Sequence, residues 1–129
     1  MTVRHSLRAR AITHSGLSTL IGTRFYPIRL PETLTLPAAR YQVVSSPPSL
    51  YRDHESGAPD RSVSRIQIDV LAGSSDRAAA VGDQVVQAFD GWASGTAVGW
   101  CRVTNRFEDY DSAFKRYREV VEIEIDHAI

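Results

Sequence analysis

The stretch Ser62-Val-Ser-Arg-Ile-Gln-Ile-Asp-Val-Leu-Ala-Gly-Ser-Ser-Asp-Arg-Ala-Ala-Ala-Val-Gly-Asp-Gln-Val-Val-Gln-Ala-Phe89 changes its hydrophobic period halfway along. Through Ala72 the period is two. Ile66, Ile68, Val70 and Ala72 face one way, and Arg65, Gln67, Asp69 and Leu71 the other. That pattern predicts a strand with one face buried. Gly73-Ser74-Ser75-Asp76 then supplies hydroxyl caps and a first-turn acid, the signature of a helix start. Ala78, Val81, Val85 and Phe89 follow at helical spacing, opposite Asp76, Ala80, Asp83, Gln87 and Asp90. Gly82 sits inside this helix at a cost of about 1 kcal/mol relative to Ala, which predicts close approach to the sheet. The helix is expected to end near Asp90-Gly91.

Working outward, Val3, Leu7 and Ala11 mark an N-terminal helix with Thr2 as its cap. Its end is expected at His14-Ser15-Gly16, with His14 as a favourable cation there. A short apolar turn, Leu17 to Ile21, leads to Gly22. Arg24 to Leu30 reads as an extended edge segment, because Pro27 and Pro31 cannot donate to a sheet ladder. Pro37 opens a strand from Ala38 to Ser46. Residues 47–61 hold three prolines and a glycine without any period, so they predict a loop or hairpin tip of unusual length, either functional or mobile. Ala97 to Asn105 is a further strand, and Arg106 to Ala113 a polar turn. Lys115 to Asp126 is the last strand, with Tyr117, Glu119, Val121, Ile123 and Ile125 on one face. The fold class is α+β: one domain over residues 1–129, a mostly antiparallel β-sheet packed against two helices, with a long β-hairpin or loop.

At 129 residues, with 43% hydrophobic and 23% charged, the composition is that of one globular domain. It excludes disordered and collagen-like chains. The single Cys101 excludes a disulfide scaffold, and no apolar run is long enough to span a bilayer. The N-terminus lacks the apolar core of a signal peptide, so an intracellular domain is expected. The formal net charge of zero disfavours non-specific nucleic-acid binding. That zero hides an asymmetry. Arg4, Arg8, Arg10, Arg24 and Arg29 precede any acid, giving the first thirty residues +5. Residues 107–129 carry seven acids against three bases, a net of −4. The two ends pair within the domain, pair head to tail between subunits, or remain two solvated faces.

No catalytic constellation stands out. The histidines His5, His14, His54 and His127 form no metal-ligand spacing. Cys101 lies in a strand and reads as a buried structural thiol rather than a nucleophile, paired with His127 or otherwise. Nucleophile-elbow and phosphate-loop motifs are missing. Glu108-Asp-Tyr-Asp111 lacks calcium-loop spacing and reads as a solvated hairpin tip. Glu122 and Glu124 share one side of a strand with Arg118 and Asp126, which suggests a wet surface rather than an acid/base pair. The sequence therefore offers no catalytic, cofactor-binding or metal site.

Leu20-Ile-Gly-Thr-Arg-Phe-Tyr-Pro-Ile-Arg-Leu-Pro31 and Leu36-Pro-Ala-Ala-Arg-Tyr-Gln-Val-Val-Ser45, taken in order with Arg65-Ile-Gln-Ile-Asp69 and Tyr117-Arg-Glu-Val-Val-Glu-Ile-Glu124, resemble the bacteriophage tail completion family of tail terminator and head–tail joining proteins. The resemblance covers nearly the whole chain. Two departures are Val70-Leu-Ala-Gly73, in place of an aromatic or Cys-Trp pattern, and a more basic N-terminal helix. The resemblance implies a virion protein without enzymatic activity, assembled in the host bacterial cytoplasm. It implies a homo-hexameric ring that caps the tail tube and joins it to the head or neck, with double-stranded DNA passing through the lumen unread. Implied partners are the major tail tube protein, a neck or head-completion protein and the tape measure protein, with no membrane. The alternatives are another neck or head-completion protein, or a small α+β ligand-binding protein or enzyme. Within the ring reading, Arg4, Arg8, Arg24, Arg29, Tyr51, Arg52, Asp53 and Arg61 are the candidate subunit or partner contacts. Glu122, Glu124 and Asp126 are the candidate lumen-facing acids.

Overall fold

The computed structural model describes residues 2–47 and 61–128. Helix α1 spans Val3–Thr13, capped by Thr2, whose Oγ1 accepts from the His5 N–H at 3.3 Å. The expected apolar turn is a helix of its own, α2, over Ser15–Ile21. His14 makes this possible. It ends α1, and its Nδ1 accepts from the Leu17 N–H at 3.2 Å, so it caps the next helix as an acceptor rather than closing the first as a cation. Leu17 and Ile21, one turn apart, are both buried. The described residues thus contain three helices, not two.

Strands β1 (Phe25–Pro27), β2 (Ala38–Ser45), β3 (Arg61–Ala72), β4 (Val98–Asp111) and β5 (Arg116–Ala128) form one sheet in the order β1-β2-β3-β5-β4. The α+β expectation holds. Every pairing is antiparallel except β1 with β2, and the short proline-bounded β1 takes the edge. The expected long loop lies outside the described residues; at their edge, Ser62 Oγ donates to Pro47 O at 2.6 Å.

The predicted turn at Arg106 to Ala113 is mostly strand. β4 runs to Asp111, and the turn is confined to residues 112–115. Its sequence has no apolar alternation to betray it. It is held instead by in-register partners: Asp109 lies opposite Arg118 and Asp111 opposite Arg116, and both are ion pairs, at 2.7 and 3.4 Å.

Helix α3 (Ser75–Phe89) starts as expected, with Ser74 Oγ accepting from the Arg77 N–H at 3.2 Å. It lies over β5 and β3, and α1 and α2 pack beside it on the same face. Between the layers sit Ile66, Ile68, Val70, Val121, Ile123 and Ile125 from the sheet, with Val81, Val85 and Phe89 from α3. Phe25 stacks between Tyr41 and Phe89, with ring centroids at 5.0 and 6.3 Å. Cys101 and Val98 bring the start of β4 into the same core.

Among the described residues the other face of the sheet carries no helix. It is organised by ion pairs, and Arg40–Asp69 (2.8 Å) and Arg102–Glu124 (2.7 Å) join direct cross-strand neighbours. Asp69 and Leu71, on this polar side of β3, are nevertheless each 1% exposed. Long neighbouring side chains lie over them, Arg40 and Arg118 among them, whose stems are apolar.

Candidate functional site

Cys101 is buried in β4, and burial, followed by the nearby Asp90 carboxylate, pushes its thiol up to about 12. That opposes thiolate chemistry. His127 is engaged elsewhere, with Nε2 and Ser64 Oγ 2.6 Å apart and Nδ1 beside Ala128 O at 2.9 Å. Among the described residues no cluster of three or more His, Cys, Asp or Glu is placed to hold a metal. None of their helices is long and apolar enough to cross a membrane.

The candidate contact arginines divide in two. Arg8 Nη1 donates to Phe25 O at 2.5 Å. Arg24 donates to Pro37 O at 2.9 Å and Leu20 O at 3.2 Å, and Arg61 to Asp126 (2.9 Å) and to Thr96 O (2.8 Å). These three are internal fasteners. The side chains of Arg4 and Arg29 have no hydrogen-bond or ion-pair partner among the described residues. Tyr51, Arg52 and Asp53 lie outside the described residues.

The acidic end is less free than its count suggests. Asp109, Asp111, Glu119, Glu124 and Asp126 pair with Arg118, Arg116, Arg106, Arg102 and Arg61. Three of those arginines precede residue 107 in the sequence, so summing charge over a window missed them. The Tyr110 N–H, then Arg118, hold the Asp109 carboxyl below its ordinary range. Glu108 and Glu122 remain without a partner among the described residues. Glu122, Glu124 and Asp126 do share the open face of the sheet, opposite Asn105, Arg102 and Trp100.

Topology decides how the two charged ends relate. Arg8, Arg24 and Arg29 gather at β1, and α1 packs against it. The acidic β5–β4 hairpin is the opposite end of the sheet order. Three strands separate β1 from β4.

Sequence reading missed one feature on the helix side. Glu119 is 2% exposed under α3, bound by Arg106, which also reaches Asp83 at 2.9 Å and Ala79 O at 3.1 Å. These acids, led by Glu119, raise the Arg106 pKa and keep it charged. A Cβ on Gly82 would lie 2.6 to 2.8 Å from the Glu119 carboxyl group. The close approach predicted for Gly82 is therefore to this one side chain. The available signal was an acid in the apolar row Tyr117, Val121, Ile123.

Comparison with known proteins gives a consistent result. A family model described as Tail completion protein gp17 matches residues 5–127. A chain in a solved structure titled "Virion of native gene transfer agent (GTA) particle" has the same fold. Its TM-score is 0.72 at 13% identity, over 99% of this chain and 96% of that one. No curated protein matches the chain.

Proposed function

The chain belongs to the Tail completion protein gp17 family and is a structural protein of a phage-type virion; from that premise we propose that it forms a homo-hexameric ring. The ring caps the tail tube after assembly in the host cytoplasm and joins it to the head or neck. Its partners are the tail tube protein, a neck or head-completion protein and the tape measure protein. The observation that carries this reading is the separation of charge across the sheet. Unpartnered Arg4 and Arg29 belong to the β1 end, and unpartnered Glu108 belongs to β4 at the other. Such patches are complementary but not identical, which suits a heterologous contact that closes into a ring and not a two-fold dimer.

The open face, with Glu122, Glu124 and Asp126, is the surface we assign to the lumen. Arg61 and Arg102 on it are already bound to Asp126 and Glu124, so a passing phosphate backbone meets fewer free cations. Native mass spectrometry of the full chain, alone and with tail tubes, tests the reading. A six-subunit species is expected. A two-fold dimer that neither closes into rings nor binds tubes overturns it.

A further inference from the structure

A cavity of about 230 Å³ opens between the first turn of α3 and the β4–β5 hairpin, lined by Ser75, Ala78, Glu108, Tyr110, Tyr117 and Glu119, together with Asp109 and Arg118, which are paired with each other at 2.7 Å. Glu108 and Glu119 are direct cross-strand partners. Like charges in that relation repel. Only Glu119 has an arginine, and Arg106 occupies just one of its oxygens. The other, Oε2, is buried with no hydrogen-bond partner, an arrangement that costs stability unless a donor arrives. Beside the two acids, Tyr110 and Tyr117 meet edge to face at 4.9 Å and are both partly exposed. Two carboxylates short of one cation, next to aromatic faces, fit a guanidinium, which bonds carboxylate and packs on rings at once.

The other end of the sheet presents such a group. Ile28 has φ +57°, a conformation rare for a β-branched residue, and its side chain is 52% exposed. The turn it makes puts an apolar side chain and the unpartnered Arg29 next to each other at the rim of β1.

Resting on the ring reading above, we propose that this cavity is a socket for Arg29 of a second copy of the chain, carried in on the Ile28–Arg29 turn. The guanidinium bonds Glu108 and Glu119 Oε2, and Ile28 packs on the neighbouring tyrosines. Because knob and socket lie at opposite ends of one sheet, a single chain does not satisfy itself, and each copy binds the next.

Charge reversal in the full chain tests this. Arg29→Glu and Glu108→Arg each weaken subunit association by at least about tenfold, as close interfacial charge pairs do, without lowering the melting temperature, and together they restore it. A second measurement pairs Arg29→Cys with Glu108→Cys and joins them with a bifunctional maleimide, because a guanidinium–carboxylate contact holds the two Cα atoms too far apart for a disulfide. Cross-linking is expected to give a ladder of subunits up to the closed ring, with buried Cys101 taking no part. If the wild-type chain assembles into rings but the pair neither cross-links nor rescues, the socket is overturned and the ring stands. If Arg4→Glu disrupts association and Arg29→Glu does not, the assignment to Arg29 is overturned. If the wild-type chain forms no ring even on tubes, the ring reading falls and the socket with it.

Discussion

Gly82 shows how one missing methyl group shapes this fold. The Glu119 carboxyl group occupies the space a Cβ would need and is held there by Arg106, so it cannot swing aside cheaply. Gly82→Ala would gain about 1 kcal/mol of helix propensity. The overlap costs about 1–3 kcal/mol, so net destabilisation is expected in urea unfolding, and a more stable variant would contradict this packing. Arg8 and Arg4 part company at the same scale. Arg8→Glu loses the bond to Phe25 O and should lower the melting temperature, while Arg4→Glu should leave it unchanged. Cys101 should resist maleimide at pH 8 in the native state and react once unfolded. Its raised pKa also has a sign for stability. The unfolded thiol ionises from its ordinary 9.0 while the folded one stays neutral to about 12, so stability is lost as pH rises through that window.

Among the elements, β4 is the exposed long edge of the sheet, and such edges invite pairing with other chains. Here three of its donors are taken. The Val103 N–H goes to Asp90 Oδ1 at 3.0 Å, the Arg106 N–H to Asn105 Oδ1 at 2.9 Å and the Tyr110 N–H to Asp109 Oδ1 at 2.8 Å. Those three positions disfavour strand addition, which leaves side chains to make the contact beside it. Asn105→Val should therefore promote non-specific association, read by light scattering, with little change in the fold. The lowered Asp109 pKa works in the same place. Its contribution is complete above the ordinary 3.8 and is lost as pH falls through the lower folded value. Protection of the Tyr110 amide, measured against its intrinsic exchange rate at each pH, should fall under those acidic conditions, and unchanged protection would contradict this role for Asp109.

For the whole molecule, the charge balance reads differently from the way it does in sequence. Most acids of the last strands are satisfied by arginines on β3, β4 and β5, and Arg4 and Arg29 at one end of the sheet and Glu108 at the other are among the charged side chains left for partners. Assembly should accordingly depend on those groups and weaken as salt is raised. Glu122→Lys, which breaks no ion pair, should leave monomer stability nearly unchanged and raise retention of DNA by assembled rings, measured by filter binding. A ring structure with the Glu122, Glu124 and Asp126 carboxylates on its outer rim would refute the lumen assignment.

The strand from Ser62 to Ala72, the capped helix after it and the proline-bounded edge were legible in the sequence. Each is set by local chemistry: a two-residue period, a hydroxyl cap, a missing N–H. The second half of β4 and helix α2 were not legible. One is held by cross-strand ion pairs, and the other by a histidine that ends one helix and caps the next. The sequence by itself determined that a basic beginning and an acidic end share one α+β domain. Only the tertiary structure decided that the strand order β1-β2-β3-β5-β4 sets them at opposite ends of the sheet. Strand order comes from long-range pairing, which no local period encodes. It is also what turns a net charge of zero into two surfaces that one copy cannot bring together and two copies can.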